Sequence, residues 1–132
     1  MVILPDSSAW IDYLRERDSP ARPALRAAIH QGIAVLCEPV WAELLRGSRD
    51  DRNQVRLERT LAGFPMIPTV REDWETAATI GRMTRRNRLA VRSFVDCLIA
   101  GIAIRSDATV LHSDADFERI AEVLPMLDQT RG

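Results

Sequence analysis

The stretch Ile3-Leu4-Pro5-Asp6-Ser7-Ser8-Ala9-Trp10 predicts the kind of fold that this chain adopts. Residues 2–4 are apolar and β-branched enough to form a buried strand, and the two serines before further apolar residues are typical of a helix start. Asp6 therefore lies where a strand leads into a helix. In open α/β sheets, ligands bind at that edge, outside the carboxyl ends of the strands. Asp6 is also a favourable N-cap residue, so a purely structural role stays open at this point.

The composition is that of one globular domain. The chain has 132 residues, of which 46% are hydrophobic and 28% are charged, and we expect a single domain over residues 1–132. No apolar run reaches the ~18 residues that a membrane span requires, and the first residues lack the basic start of a signal peptide. We therefore expect a cytoplasmic protein without a membrane segment.

The cysteines and two of the tryptophans are expected inside the protein. Cys37 and Cys97 lie in apolar segments without the spacing of a metal site, which predicts buried free thiols. Trp10 and Trp41 also lie in apolar stretches, and we expect them in the core and not as platforms for stacked bases.

All 18 basic residues are arginine, and lysine is absent. This excludes a P-loop phosphate site and any mechanism that forms a Schiff base on lysine. Several arginines fall close together ahead of an acidic motif, namely Arg82, Arg85, Arg86, Arg88 and Arg92. Such a stretch is usually a solvated face; the alternative is contact with a phosphate backbone.

Short apolar strands alternate with helical patterns along the rest of the chain. The sequence predicts strands at 33–37 and 108–111, a brief edge strand within 64–68 and a last strand at 125–127, followed by a frayed end at 128–132. It predicts helices at 24–31, 38–47, 48–63, 72–87 and 93–104. This alternation is typical of an α/β fold with a mostly parallel central sheet flanked by helices.

Four aspartates, Asp6, Asp96, Asp114 and Asp116, each follow a predicted strand or open a predicted helix. Because the carboxyl ends of parallel strands share one edge of a sheet, we expect these carboxylates to lie together. They would repel one another unless a cation neutralised them, and oxygen ligands of this kind select Mg²⁺ or Mn²⁺. A metal held there can activate water and stabilise charge on a scissile phosphate.

Each acid also has a structural interpretation. Asp96 has the spacing of a capping-box partner for Ser93, although a carboxylate that begins a buried helix must be paired or bound. Glu43 is enclosed by apolar residues, which favours the margin of a packed face, but a weak ion pair with Arg46 remains an alternative. His112 is expected beside the acids without acting as a ligand.

The acids fall in short motifs that follow one another along nearly the whole chain. In order, they are Asp6-Ser7-Ser8 with Trp10, Glu43 in Glu-Leu-Leu-Arg-Gly, Asp96 before Leu98-Ile99-Ala100, and Ser113-Asp114 with Asp116-Phe117. This set resembles the PIN-domain ribonucleases, specifically the VapC-type toxins of bacterial toxin–antitoxin modules. Each motif alone is weak, but the order and spacing are specific. One departure is His112, where members of this family often carry threonine.

The resemblance implies a PIN-like three-layer sandwich with the activity of a Mg²⁺- or Mn²⁺-dependent endoribonuclease. Such a toxin cleaves a structured RNA, a tRNA or an rRNA loop, by means of water activated by the metal. The resemblance further implies a homodimer and a cognate VapB-type antitoxin that inserts a segment into the acidic site.

The same resemblance implies a role for each site residue. The catalytic acids would be Asp6, Glu43, Asp96 and Asp114, with Asp116 as a fifth. Asp6 and Asp96 would bind the metal, and Glu43 and Asp114 would position the water. Asp116 would bind the metal or cap a helix, and the Ser8 hydroxyl would support Asp6.

Three other functions compete with this interpretation. Haloacid-dehalogenase-like phosphatases and receiver domains also place an aspartate after the first strand, but both require a lysine that this chain lacks. A non-catalytic domain that binds RNA or a partner would use the acids only as caps and ion pairs. A housekeeping PIN protein for RNA processing is the third alternative, and the minimal length favours the toxin.

Overall fold

The centre of the sheet is the predicted first strand, β1 (Ile3–Pro5). The computed structural model describes residues 1–132. β1 pairs in parallel with β4 (Thr109–Leu111), and β4 pairs in parallel with β5 (Gln129–Thr130). The carboxyl ends of these strands therefore point to the same edge of the sheet.

The sheet continues on the other side of β1. Ile3 forms a parallel bridge with Ala34, and the same segment runs on into β2 (Leu36–Cys37). β2 pairs in parallel with the short edge strand β3 (Met66–Ile67). The predicted second strand is thus shared between two partners, since its first half contacts β1 and its second half contacts β3.

Seven helices surround these strands. They are α1 (Ser7–Leu14), α2 (Ala21–His30), α3 (Glu38–Arg46), α4 (Asp51–Leu61), α5 (Arg71–Arg86), α6 (Phe94–Ser106) and α7 (Ala115–Val123). α1 packs on α2 and α3, whereas α5 packs on α6 and α7. The predicted α/β fold with a parallel sheet and flanking helices is confirmed.

α6 is the central helix of the core, as its apolar sequence predicts. Every residue from Asp96 to Ala103 is buried. A β-carbon on Gly101 would lie 3.1 Å from the Asp73 carbonyl oxygen of α5, so the missing side chain permits the close approach of the two helices. Arg105 then fixes this pair of helices, because its guanidinium donates to both carboxylate oxygens of Asp73 and to the Pro68 carbonyl.

Three predicted elements had wrong boundaries. α4 is Asp51–Leu61 and not 48–63, because Asp50 caps its start. α2 begins at Ala21 and not at residue 24, because Pro23 lies in the first turn, where its missing N–H is not needed. The last strand is Gln129–Thr130 and not 125–127. The chain end is not frayed: Arg131 forms two hydrogen bonds with Glu118 of α7, at 3.0 and 2.7 Å.

The aromatic residues divide between core and surface. Trp10 is fully buried, as predicted, but the prediction for Trp41 was wrong, because 37% of that residue is exposed. Trp74 is 52% exposed and stacks on Phe94, which is 51% exposed, with 6.4 Å between ring centroids. Both cysteines are buried and free, as predicted. None of the helices is both long and apolar enough to span a membrane.

Candidate active site

Asp6 is held at the carboxyl end of β1. Its backbone N–H donates to the Leu111 carbonyl of β4 at 3.0 Å, which continues the ladder one residue past the strand. Its carboxylate Oδ1 accepts from the Ala9 N–H of α1 at 3.0 Å, and the residue is only 2% exposed. Asp6 therefore caps α1 and lies at the sheet edge at the same time.

Ser8 connects the two sides of this edge. Its hydroxyl donates to Asp6 Oδ1 at 2.6 Å and accepts from the Ser113 N–H at 2.9 Å. Ser113 in turn donates through Oγ to Asp12 Oδ2 at 2.8 Å. The turn after β4 is thereby fixed to the first turn of α1.

The structure brings Asp96, Asp114 and Asp116 together. One carboxylate oxygen from each lies within 4.8 Å of the others. Asp96 comes from the first turn of α6, and Asp114 is the N-cap of α7, where it accepts from the Asp116 N–H at 2.9 Å. The Ser93 side chain makes no cap hydrogen bond, so a complete capping box with Asp96 is not formed.

Asp116 already has several donors around its carboxylate. Oδ2 accepts from the Arg92 backbone N–H at 3.0 Å, and Oδ1 accepts from Arg119 Nη1 at 3.2 Å. The Asp116 carboxyl also lies close enough to Asp96 to raise the pKa of Asp96. Of the five candidate acids, Asp116 alone forms an ion pair.

Glu43 reaches the same region from α3. It is half-buried, and its Oε1 accepts from Ser7 Oγ at 3.2 Å. Its charge contributes to raising the pKa of Asp6, together with that of Asp114. The alternative ion pair between Glu43 and Arg46 is not present. All five acids therefore lie near one region of the sheet edge, with Asp6 and Glu43 outside the group that Asp96, Asp114 and Asp116 form within 4.8 Å of one another.

Burial makes this region costly for negative charge. Loss of hydration raises the pKa of Asp6 from 3.8 to about 7, even though Ser8 and Ala9 donate hydrogen bonds to the carboxylate. Loss of hydration also raises the pKa of Asp96, and the nearby carboxyls of Asp116 and Asp114 add to this effect. Because the carboxylate oxygens of Asp6 and Asp96 have no cationic side chain as partner, their chemistry fits a hard divalent cation.

His112 lies beside the acids, as predicted. It is fully buried, Nδ1 accepts from the Asp114 N–H at 3.2 Å, and Nε2 lies 2.7 Å from Gln129 Oε1. The proton is therefore on Nε2, which donates to Gln129. Burial lowers the pKa of His112, which keeps the ring neutral.

Sequence reasoning missed two residues that hold this arrangement. Gln129 falls in the segment that the sequence predicts to be frayed, although it belongs to β5 and its side chain lies within hydrogen-bond distance of His112. Arg119 has no role in the sequence prediction, yet Nη1 donates to both Asp116 and the Ala90 carbonyl, the latter at 3.1 Å. The spacing of Asp116 and Arg119 by three residues on α7 was the available signal.

Comparisons with known proteins identify the family of this chain. Residues 3–123 match the PIN domain family. The chain is 41% identical over 125 residues to ribonuclease VapC11 of Mycobacterium tuberculosis and, equally, to VapC ribonuclease Mb1587 of Mycobacterium bovis, covering 92% of this chain and 93% of each relative. Among solved structures, VapBC2 from Rickettsia felis, bound to a DNA fragment from its promoter, has a similar fold, with a TM-score of 0.78, 19% identity and 98% of both chains covered. On the family match and the sequence identity, this chain belongs to the PIN-domain family and, within it, to the VapC ribonucleases.

Proposed function

We propose that this protein is a divalent-metal-dependent endoribonuclease and the toxin of a toxin–antitoxin pair. The observation that carries the proposal is the cluster of Asp96, Asp114 and Asp116 near Asp6 at one sheet edge, where burial raises the pKa of Asp6 and of Asp96. The relatives named VapC ribonucleases support the substrate class. Mg²⁺ or Mn²⁺ is the cation that such oxygen ligands prefer.

Asp6 and Asp96 are the residues that would hold the metal. Both are buried, and neither has a cationic side chain as partner. A bound divalent cation lowers the pKa of water and stabilises the charge that develops on a scissile phosphate. Glu43 and Asp114 are more exposed and would orient the attacking water. Asp116 would hold the start of α7 and the Arg92 backbone in place through its hydrogen bonds, and Ser8 would orient Asp6.

The substrate that we propose is a structured RNA, either a tRNA or an rRNA loop. Single-stranded loops expose bases and backbone to a shallow site, whereas a paired helix hides its base edges. The acids lie at an open edge of the sheet and not in a deep cavity, since Asp114 and Glu43 both remain partly exposed. This openness suits a looped backbone.

A cognate VapB-type antitoxin is the partner that we propose. α1, α3 and α4 form a groove whose wall includes the apolar residues Ile11, Leu14, Leu44 and Leu57. The groove extends to Glu43, so a peptide lying in it would reach the acids. An arginine on such a peptide could pair with the carboxylates in place of the metal.

We also propose that the toxin is a homodimer. Trp74 of α5 and Phe94 of α6 form a stacked pair that is half-exposed. Large exposed aromatic residues of this kind are typical of interaction surfaces. Burial of this pair against a second copy would remove apolar surface from water.

RNA cleavage by the purified toxin tests the activity. End-mapped cellular RNA would be incubated with Mg²⁺, with Mn²⁺ or with EDTA. We expect cuts at few positions that require the metal, and a loss of roughly 100-fold or more in Asp6→Asn and Asp96→Asn, because each removes charge that the metal needs. Asp18→Asn, at an exposed position, is the matched control and should cleave normally.

Intact RNA with the wild type under every metal condition would contradict the proposal. If the wild type and both variants still bound RNA equally well, the carboxylates would act as caps and the protein would be a binding domain. Equal cleavage by the wild type and Asp6→Asn would instead remove Asp6 from the site.

A further inference from the structure

We propose that the segment 82–92, here called the basic segment, binds the phosphate backbone of the RNA beside the acids, and that Arg119 holds it in place. This inference rests on the proposed function, because it assigns the surface on which that substrate lies. It concerns residues outside the carboxylate group itself.

The charge of this region differs from that of the rest of the chain. From residue 76 to residue 95 there are five arginines and no acidic residue, although the whole chain carries a net charge of −1. The arginines are those at 82, 85, 86, 88 and 92. The region is therefore a local excess of positive charge next to a local excess of negative charge.

None of these arginines is used to stabilise the fold. All five are exposed. None makes an ion pair or a side-chain hydrogen bond, whereas Arg119 beside the segment pairs with Asp116. Five unpaired guanidinium groups close together in the sequence concentrate positive charge, so the segment suits a polyanionic partner.

The backbone of the basic segment is attached directly to the acid site. The Arg92 N–H donates to Asp116 Oδ2 at 3.0 Å. Arg119 Nη1 donates to the Ala90 carbonyl at 3.1 Å and to Asp116 Oδ1 at 3.2 Å, so one side chain joins the segment to α7. Phosphates bound here would therefore adjoin the scissile position.

Arg88 occupies a backbone conformation that does not favour arginine. Its φ is +59°, in the left-handed region where glycine is the usual residue after a helix. The Leu89 N–H donates to the Thr84 carbonyl at 2.8 Å, which closes the end of α5 around this position. Glycine adopts this conformation at lower cost, so the Arg88 side chain can be removed without straining the end of α5.

An RNA substrate explains the juxtaposition of the two charged regions. The carboxylates repel the phosphates that they must approach. Arginines beside the site offset this repulsion and guide the backbone, because guanidinium groups donate in pairs to phosphate oxygens. The basic segment thus supplies affinity, and the acids supply the chemistry.

RNA binding can be measured apart from cleavage. The probe is a fluorescent single-stranded RNA, which is titrated with the full chain and followed by anisotropy. EDTA removes the metal that the proposed cleavage requires, so the RNA stays intact. We expect Arg85→Ala, Arg88→Gly and Arg92→Ala each to weaken binding roughly three- to tenfold. Each should also flatten the dependence on salt, by about 0.7 in the logarithmic slope for each phosphate that the variant no longer neutralises.

Two comparisons separate binding from folding. Arg88→Gly relieves the left-handed conformation, so its melting temperature should equal or exceed that of the wild type while its RNA affinity falls. Arg26→Ala removes an exposed, unpaired arginine from α2 and should leave RNA affinity unchanged. Arg119→Met should weaken binding, and Arg119→Lys should restore it in part, because an ammonium can still bridge Ala90 and Asp116.

Folded variants of the basic segment that bind RNA as tightly as the wild type would overturn the inference. So would an equal loss of affinity in Arg26→Ala, since the effect would then report only net charge. If binding behaves as expected but no metal supports cleavage, the proposed nuclease function fails while the basic segment stands as a polyanion-binding surface. If RNA is cleaved but these variants bind normally, the inference fails alone.

Discussion

Ser8 makes the hydrogen bonds that join Asp6 to the turn after β4. Its Oγ donates to Asp6 and accepts from the Ser113 N–H. In Ser8→Ala the Ser113 N–H loses its partner, which costs about 1–3 kcal/mol and lowers the melting temperature by roughly 3–10 °C. RNA cleavage should fall roughly 10–100-fold, because Asp6 loses the group that orients it. Thermal unfolding and cleavage rates measure the two effects.

Ser7→Ala is the matched control for this prediction. Ser7 donates to the half-buried Glu43, at 3.2 Å, and makes no bond with the turn after β4. It should lower the melting temperature less than Ser8→Ala does, because water can replace a partly exposed hydrogen bond. Equal melting temperatures for the two variants would show that the hydrogen bonds of Ser8 stabilise the fold no more than that of Ser7.

The positions of the acids could be predicted from the sequence, whereas their partners could not. Asp6 and Asp114 each follow a recognisable strand, so local pattern was enough to place them at one edge. The contact between His112 and Gln129 depends on the register of a two-residue strand, which leaves almost no periodic signal. Arg119 donates to the Ala90 carbonyl, which lies 29 residues earlier in the chain, and no local sequence pattern predicts such a contact.

Among the helices and strands, local signals were reliable where a capping residue or glycine marked a boundary. α3 begins beside Pro39 and ends at Gly47, as predicted. The exposed face of α5 was harder to predict, because Trp74 shares the apolar pattern of its buried neighbour Ala77. The buried positions of α5 include Asp73, whose partner Arg105 lies on another helix. The burial of Asp73 is therefore determined by its pairing with a distant residue, which the hydropathy of α5 does not predict.

The contact between α7 and the basic segment predicts a change in proteolysis. Arg119→Met removes the hydrogen bonds to Ala90 and Asp116, so the segment should open more often. Trypsin cleaves after arginine, and we expect cuts after Arg85, Arg86 or Arg88 to appear roughly 3–10 times faster than in the wild type, as a local opening of about 1 kcal/mol would produce. Mass spectrometry of timed digests locates the cuts.

Arg131→Met provides the control on the same helix. It breaks the pair with Glu118 of α7 but does not contact the basic segment. Digestion within that segment should keep the wild-type rate. If Arg119→Met digests there no faster than Arg131→Met, the hydrogen bonds of Arg119 do not restrain the segment.

At the scale of the whole molecule, the stacked aromatic pair predicts assembly. In Trp74→Glu the proposed dimer should dissociate into monomers, because a carboxylate would have to be buried without a partner. Light scattering coupled to size exclusion measures the mass. Met126→Glu, at a position 64% exposed outside this pair, should leave the mass unchanged. A wild-type monomer, or a Trp74→Glu dimer as stable as the wild type, would contradict this interface.

The stability of the whole metal-free protein should decrease as the pH rises. The pKa of Asp6 is 3.8 in its ordinary state and about 7 when folded, so the folded protein holds a proton that the unfolded chain has released. The stabilisation from this proton is fully present below pH 3.8 and is lost as the pH rises through 7. The raised pKa of Asp96 acts in the same direction.

Histidine protonation sets the range in which this effect can be measured cleanly. The pKa of His112 is lowered from 6.5 by burial, so the ring is neutral in both states above that pH. From pH 6.5 to about 8 we expect a loss of about 1–2 kcal/mol, or roughly 3–8 °C in melting temperature, in EDTA. Mn²⁺ should restore the loss at the higher pH, because it favours the ionised carboxylates. The melting temperature of Asp6→Asn should depend less on pH and should rise less with Mn²⁺. A wild-type melting temperature that rises with pH in EDTA would contradict this prediction, because ionisation of the acids would then not destabilise the folded protein.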